Sequence, residues 1–146
     1  LGLKAEKRTQ SALPSREADV YIADTIGELG TFYALVPAAF IGGSLIPHGG
    51  QNPIEAVRHG AAVVSGPHTH NFQEYFAALQ RFKGAVLVNS AAELASGVRT
   101  LIEDEAVRAA TLKGADAALQ SLAGGMDRTL AALQPFLAAA KEGKAP

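Results

Sequence analysis

"FIGGSLIPHGGQNPIEA", residues 40–56, runs from an apolar stretch through four glycines and two prolines into a helix start. Strand-to-helix loops in α/β units commonly take about 2–6 residues; here the crossing occupies Gly42 to Gln51. Two readings are open. The glycines can simply serve surface turns with positive φ. Alternatively, they let backbone N–H groups come close to a phosphate or sugar, with the free N–H groups of the following helix adding partial positive charge. No Gly-Lys-Ser/Thr follows, so this is not a Walker loop, and the glycine spacing does not match the dinucleotide fingerprint.

Outward from the loop, short runs rich in Val, Ile and Ala lie at Val20–Ala23, Ala38–Ile41, Ala61–Val64 and Ala85–Val88. They are nearly continuous rather than alternating, as strands covered on both faces of a parallel sheet should be. Lys4–Arg8 is so charged that, as a strand, it belongs at an edge. The segments between carry helical spacing: Phe72, Phe76 and Leu79, then Leu94, Val98, Leu101 and Ile102. After each apolar run comes a capping residue with a glutamate three positions on, at Thr25/Glu28, Asn52/Glu55, Asn71/Glu74 and Ser90/Glu93. Pro53 suits a first helical position. The pattern implies an α/β fold in which right-handed crossovers bring four helix starts to the carboxyl edge of one parallel sheet, where such sheets bind ligands. Two alanine-rich helices should follow over about residues 105–140, split at Gly124-Gly125, with stripes Leu112, Ala115, Leu119, Leu122 and Met126, Leu130, Leu133, Leu137. The second should lie across the domain or against a partner, and the last few residues should fray.

The chain of 146 residues suffices for one domain, residues 1–146, with a real core. With 48% hydrophobic and 18% charged residues and a net charge of -1, it reads as a soluble globular protein without a nucleic-acid surface. The lack of cysteine excludes disulfides, thiolate metal sites and a cysteine nucleophile. No apolar run approaches the ~18 residues that would span a bilayer, and no signal peptide is visible, so a cytosolic location is the default. Opening on Leu1 rather than Met suggests a trimmed chain.

Glu55 has two readings. It can cap Asn52, as three sister glutamates in equivalent places suggest, or it can take both hydroxyls of a ribose whose phosphate rests on the helix end. His68 and His70 stand two apart with no third ligand nearby in sequence, so hydrogen bonding rather than a metal is expected of them. His59 reads as a solvated helix residue. No Ser-His-Asp order or nucleophile elbow is visible.

"DTIGELGTFYALVPAAFIGGSL" (24–45), "GGQNPIEA" (49–56) and "GPHTHNF" (66–72), in this order and spacing, resemble the carboxyl-terminal domain of Kdo (3-deoxy-manno-octulosonic acid) transferases. The resemblance covers about Asp19 to Leu133. It implies a Rossmann-like parallel sheet flanked by helices, the C-terminal half of a GT-B glycosyltransferase. It further implies transfer of Kdo from CMP-Kdo to a lipid A precursor in lipopolysaccharide synthesis, at the cytoplasmic face of the inner membrane, with inversion and no cofactor. By matching motif, Gly42, Gly43 and Ser44 would line the donor cleft, Gly49, Gly50, Gln51 and Asn52 would approach the phosphate, and Glu55 would hold the ribose. Asp24, Thr25 and Glu28 would support the cleft or touch the sugar, while Gly66, Pro67, His68 and Asn71 would shape its far side. Gln51 stands where many relatives have histidine, and His70 departs from the pattern and receives no role.

The family's first domain, with its general-base carboxylate, has no counterpart here, nor has the first strand-loop-helix of the second domain. The expectation is therefore a fragment without catalytic residues of its own, soluble, inactive alone and weakly nucleotide-binding. Loss of a central strand should also make it pair with itself. Other readings are a GT-B domain using a UDP-sugar, a non-catalytic nucleotide-binding module of flavodoxin-like shape, and a purely dimerising domain.

Overall fold

The computed structural model describes residues 2–123 and 125–141, with residues 125–128 and 138–141 described in backbone only. The expected fraying at residues 142–146, the Gly124 half of the helix break and the Met126 side chain lie outside what is described.

Among the described residues five strands form: β1 Ala5–Lys7, β2 Val20–Ile22, β3 Ala38–Ile41, β4 Ala62–Ser65 and β5 Ala85–Leu87. All pairings are parallel, but they make two ladders, β1-β2 and β3-β4-β5. This corrects the single sheet expected from the sequence. β2 is weakly buried, with Val20 and Ile22 each 40% exposed, and it pairs with the charged β1 (Glu6 opposite Tyr21) rather than with β3. Three residues with so little apolar burial are not drawn into the main sheet.

The main sheet is covered on both faces. β4 lies in its centre with every residue buried. Val63 on one face joins Ile41 and the helix residues Ala56, Val57, Phe76, Leu79, Ala115 and Ala118. Ala62 and Val64, on the other, meet Leu101, Leu94 and Val98. That two-sided burial is why the strands read as unbroken apolar runs. The helices are α1 Leu29–Leu35, α2 Ile54–Arg58, α3 Gln73–Arg81 (entered through a 3-10 turn, His70–Phe72), α4 Ala91–Glu103, α5 Glu105–Leu122 and α6 Gly125–Lys141. α2 and α3 lie on the first face, α4 on the second, and α5 spans both, placing Ala115 and Leu119 against one cluster and Leu112 against the other. Leu130, Leu133 and Leu137 of α6 are exposed, so that stripe does not pack across the domain.

Of the four expected capping pairs, only Ser90/Glu93 forms as drawn. Ser90 Oγ accepts from Glu93 N at 3.2 Å, while Glu93 Oε2 accepts from Asn89 N at 2.8 Å, one residue before the cap. Of the other three cap residues, Thr25 donates to the Glu28 side chain, Asn52 accepts from Ile54 N, and Asn71 is drawn away to the glycine loop. No helix among the described residues is long and apolar enough to cross a membrane.

Candidate functional site

Beyond the ends of β3 and β4, two loops are stitched together. Ser44 is fully buried; its hydroxyl donates to Ile41 O (2.5 Å) and accepts from Gly66 N (2.8 Å), and its carbonyl accepts from His68 N (3.0 Å). The hydroxyl is thus fully engaged inside the protein. This corrects the expectation that Ser44 lines a cleft, and makes it the bolt between the two loops. Gly66 follows from the same contact, since a Cβ there would sit 2.2 Å from Ser44 O.

Asn71 makes the second stitch. Its Nδ2 donates to His48 O (3.2 Å) and Gly50 O (3.4 Å), and its N–H donates to Gly49 O (3.1 Å). Asn71 therefore holds the glycine loop instead of capping a helix with Glu74. Gly49 and Gly50 have φ +102° and +71°, which side chains disfavour. A Cβ on Gly49 would lie 2.5 Å from Asn71 Nδ2. Both glycines are buried, and Gly50 N donates to Gly43 O (3.2 Å). These glycines permit two loops to touch, and the Gly50 N–H is already engaged, which corrects the expectation that it approaches a phosphate. Gly42 is exposed with open space around its Cα, while Gly43 (φ +70°) packs under the His48 ring.

At the loop's exit, Asn52 Oδ1 accepts from Ile54 N at 2.9 Å and Pro53 is buried. The backbone N–H groups of Gln51 and Asn52 have no acceptor among the described residues. Glu55 is exposed, and its carboxylate makes no hydrogen bond or ion pair among the described residues, so it does not cap Asn52. Its neighbour is Tyr33 of α1, whose phenol is pushed upward by burial first and by the Glu55 charge second. A hollow of about 270 Å³ is lined by Pro67, His68, Thr69, His70 and Gln73. Among the described residues no three His, Asp or Glu side chains come together as metal ligands.

The turn after β2 has both carboxylates committed. Asp24 accepts from Thr9 N (3.0 Å) and Thr9 Oγ1 (2.8 Å). Glu28 receives Arg8 in a fork, Nε at 3.1–3.2 Å and Nη2 at 2.6 Å, and also accepts from Thr25 Oγ1. Arg8 and, next, Thr25 hold the Glu28 carboxyl down at about 2. Asp24, Thr25 and Glu28 thus support the turn. Arg8, which sequence reasoning passed over as the end of a charged edge strand, and Thr9 just beyond it are the partners that hold the turn. His59 is exposed, as expected, with its ring over Gly30.

No protein-family model matches the chain. It is 36% identical over 141 residues to a 3-deoxy-D-manno-octulosonic acid transferase of Haemophilus influenzae, covering 92% of this chain and 33% of that protein. A transferase of the same name from Bordetella pertussis is 35% identical over 133 residues, covering 91% of this chain and 31% of the relative. The chain thus spans about a third of the length of these curated relatives. Among solved structures, the C-terminal CMP-Kdo binding domain of WaaA from Acinetobacter baumannii superposes with a TM-score of 0.77 at 27% identity, over 81% of this chain and 62% of that one. Parallel strands flanked by helices, the stitched glycine loop and these likenesses agree: the chain belongs to the 3-deoxy-D-manno-octulosonic acid transferase family, matching its C-terminal domain.

Proposed function

We propose that this chain is the donor-binding portion of a glycosyltransferase that moves Kdo from CMP-Kdo to a lipid A precursor in lipopolysaccharide synthesis. The observation that carries the reading is the likeness to a CMP-Kdo binding domain over four-fifths of the chain, with an uncommitted Glu55 beside the glycine loop. In this reading the exposed surface at Gly42 faces the donor, the free N–H groups of Gln51 and Asn52 receive the phosphate, and the Glu55 carboxylate accepts from both ribose hydroxyls. Ser44, Gly66 and Asn71 keep the two loops in register. The acceptor, and the general base that deprotonates its hydroxyl, belong to a separate N-terminal domain at the cytoplasmic face of the inner membrane. The transfer needs no redox cofactor. This chain alone then binds the nucleotide weakly and transfers nothing.

Titration of the chain with CMP, read at the backbone amides of residues 49–56 by NMR, tests this, with UDP as control. CMP should shift these amides at lower concentration than UDP. Glu55→Gln should weaken CMP binding by about tenfold or more, the worth of a charge-assisted pair of hydrogen bonds. Equal affinity for both nucleotides, or an indifferent Glu55→Gln, would refute the assignment.

We also propose self-association of the chain through its open strand edges. Among the described residues β3 pairs only with β4, and Phe40, Val36 and Leu35 beside it are exposed. Sedimentation velocity should show a dimer growing with concentration; a monomer at every loading would count against it.

A further inference from the structure

α1 is a short helix with no fully buried residue, and its first turn has no side-chain cap. Apolar burial therefore anchors it little, and its start is held from outside, by Arg8 forked onto Glu28. α1 packs on α2: Gly30 lies against the His59 ring at the end of α2, and one turn on the Tyr33 phenol feels the Glu55 charge near its beginning. We propose that Arg8 is a positioning residue for Glu55: by holding Glu28 at the start of α1, it fixes how α1 packs on α2 and thus where the Glu55 carboxylate stands beside the glycine loop. The inference rests on the reading of Glu55 as a nucleotide-binding group.

The test uses the purified chain with Arg8→Met, Arg8→Lys and the near-isosteric Glu28→Gln, and two readouts. One is CMP affinity by NMR titration; the other is the titration midpoint of the Tyr33 ring, followed by ¹³C NMR. Arg8→Met and Glu28→Gln should each weaken CMP binding about three- to tenfold, as mutations along a coupled network do, and lower the Tyr33 midpoint. Arg8→Lys should fall between them and the unaltered chain, keeping the charge but losing the fork.

The sign of the second readout is decisive. Removing a cation near a stationary Tyr33 would raise its midpoint, because a positive charge favours phenolate. In Arg8→Met, therefore, only a Tyr33 that has moved toward water and away from Glu55 titrates lower. Glu28→Gln removes an anion and lowers a stationary Tyr33 as well, so Arg8→Met is the deciding variant for this readout. A midpoint unchanged or raised in Arg8→Met overturns the proposal, as does a lowered midpoint with unaltered CMP affinity. If Glu55→Gln binds CMP like the unaltered chain, the nucleotide role of Glu55 fails by itself. The Tyr33 midpoint then still decides whether Arg8 sets the packing of α1.

Discussion

Replacing Ser44 with alanine removes one oxygen from a fully buried place, and the bonds it makes set the cost. Gly66 N–H loses an acceptor at 2.8 Å and Ile41 O loses a donor at 2.5 Å. Both groups lie where water does not reach, for Ile41, Ser44 and Gly66 are all buried. A buried donor left unpaired costs about 1–3 kcal/mol, and the dehydration relieved by removing the hydroxyl offsets part of the second loss, so a net destabilisation of about 2 kcal/mol is expected. Urea unfolding followed by circular dichroism measures it directly. With a urea slope of about 1–3 kcal/mol per molar for a small domain, the midpoint should fall by about 1 M with the slope unchanged. The melting temperature should fall by roughly 4–8 °C. A loss below about 0.5 kcal/mol, the range of ordinary surface substitutions, would refute the claim that Ser44 bolts the loops.

Other outcomes follow from the same geometry. Gly66→Ala would place a Cβ 2.2 Å from Ser44 O and 2.4 Å from Ser44 C; the two loops must separate, at about 3 kcal/mol, and a urea midpoint equal to that of the unaltered chain would contradict this. Glu28 titrates at about 2 in the folded chain, against roughly 4.3 when unfolded. Because the folded value is depressed, the contribution of Glu28 is complete above about pH 5 and lost as the pH falls toward 2. Asp24 moves in the same direction through Thr9, so Thr9 amide protection should decline over that acid range; carboxyl NMR finding Glu28 at an ordinary glutamate value would exclude the fork. Lys83 ends α3 with φ +55°, its N–H on Gln80 O and the Gly84 N–H on Leu79 O. That left-handed position favours glycine, so Lys83→Gly should stabilise the chain by about 0.5 kcal/mol, read as a higher urea midpoint.

The strands were legible because β3 and β4 are covered on both faces and so carry unbroken apolar runs, each placed within about a residue. Which strands pair was not legible, since pairing depends on what lies beside a strand and not on its own residues: Tyr21 could not announce Glu6 as its neighbour. The glycine loop stood out by length and composition, but what its glycines touch did not. Gly49 answers to Asn71, which is distant in sequence, and Gly66 answers to Ser44. Four glutamates shared one local signature, and local reading treated them alike. Glu28 is claimed by Arg8, Glu93 by Asn89, and Glu55 by no hydrogen-bonding or ion-pairing group among the described residues. Such a difference arises from partners that folding brings in, which spacing along the chain does not encode.

The stitches of the rim all fall between Ile41 and Asn71: Ser44 to Ile41, Gly66 and His68, Gly50 to Gly43, and Asn71 to His48, Gly49 and Gly50. Loops tied to each other in this way should open together, whatever the β1-β2 ladder does. Deuterium uptake at the amides of Gly50, Gly66, His68 and Asn71 should then share one rate of exposure. A nucleotide that binds only the closed form would slow all four alike, including those it never touches.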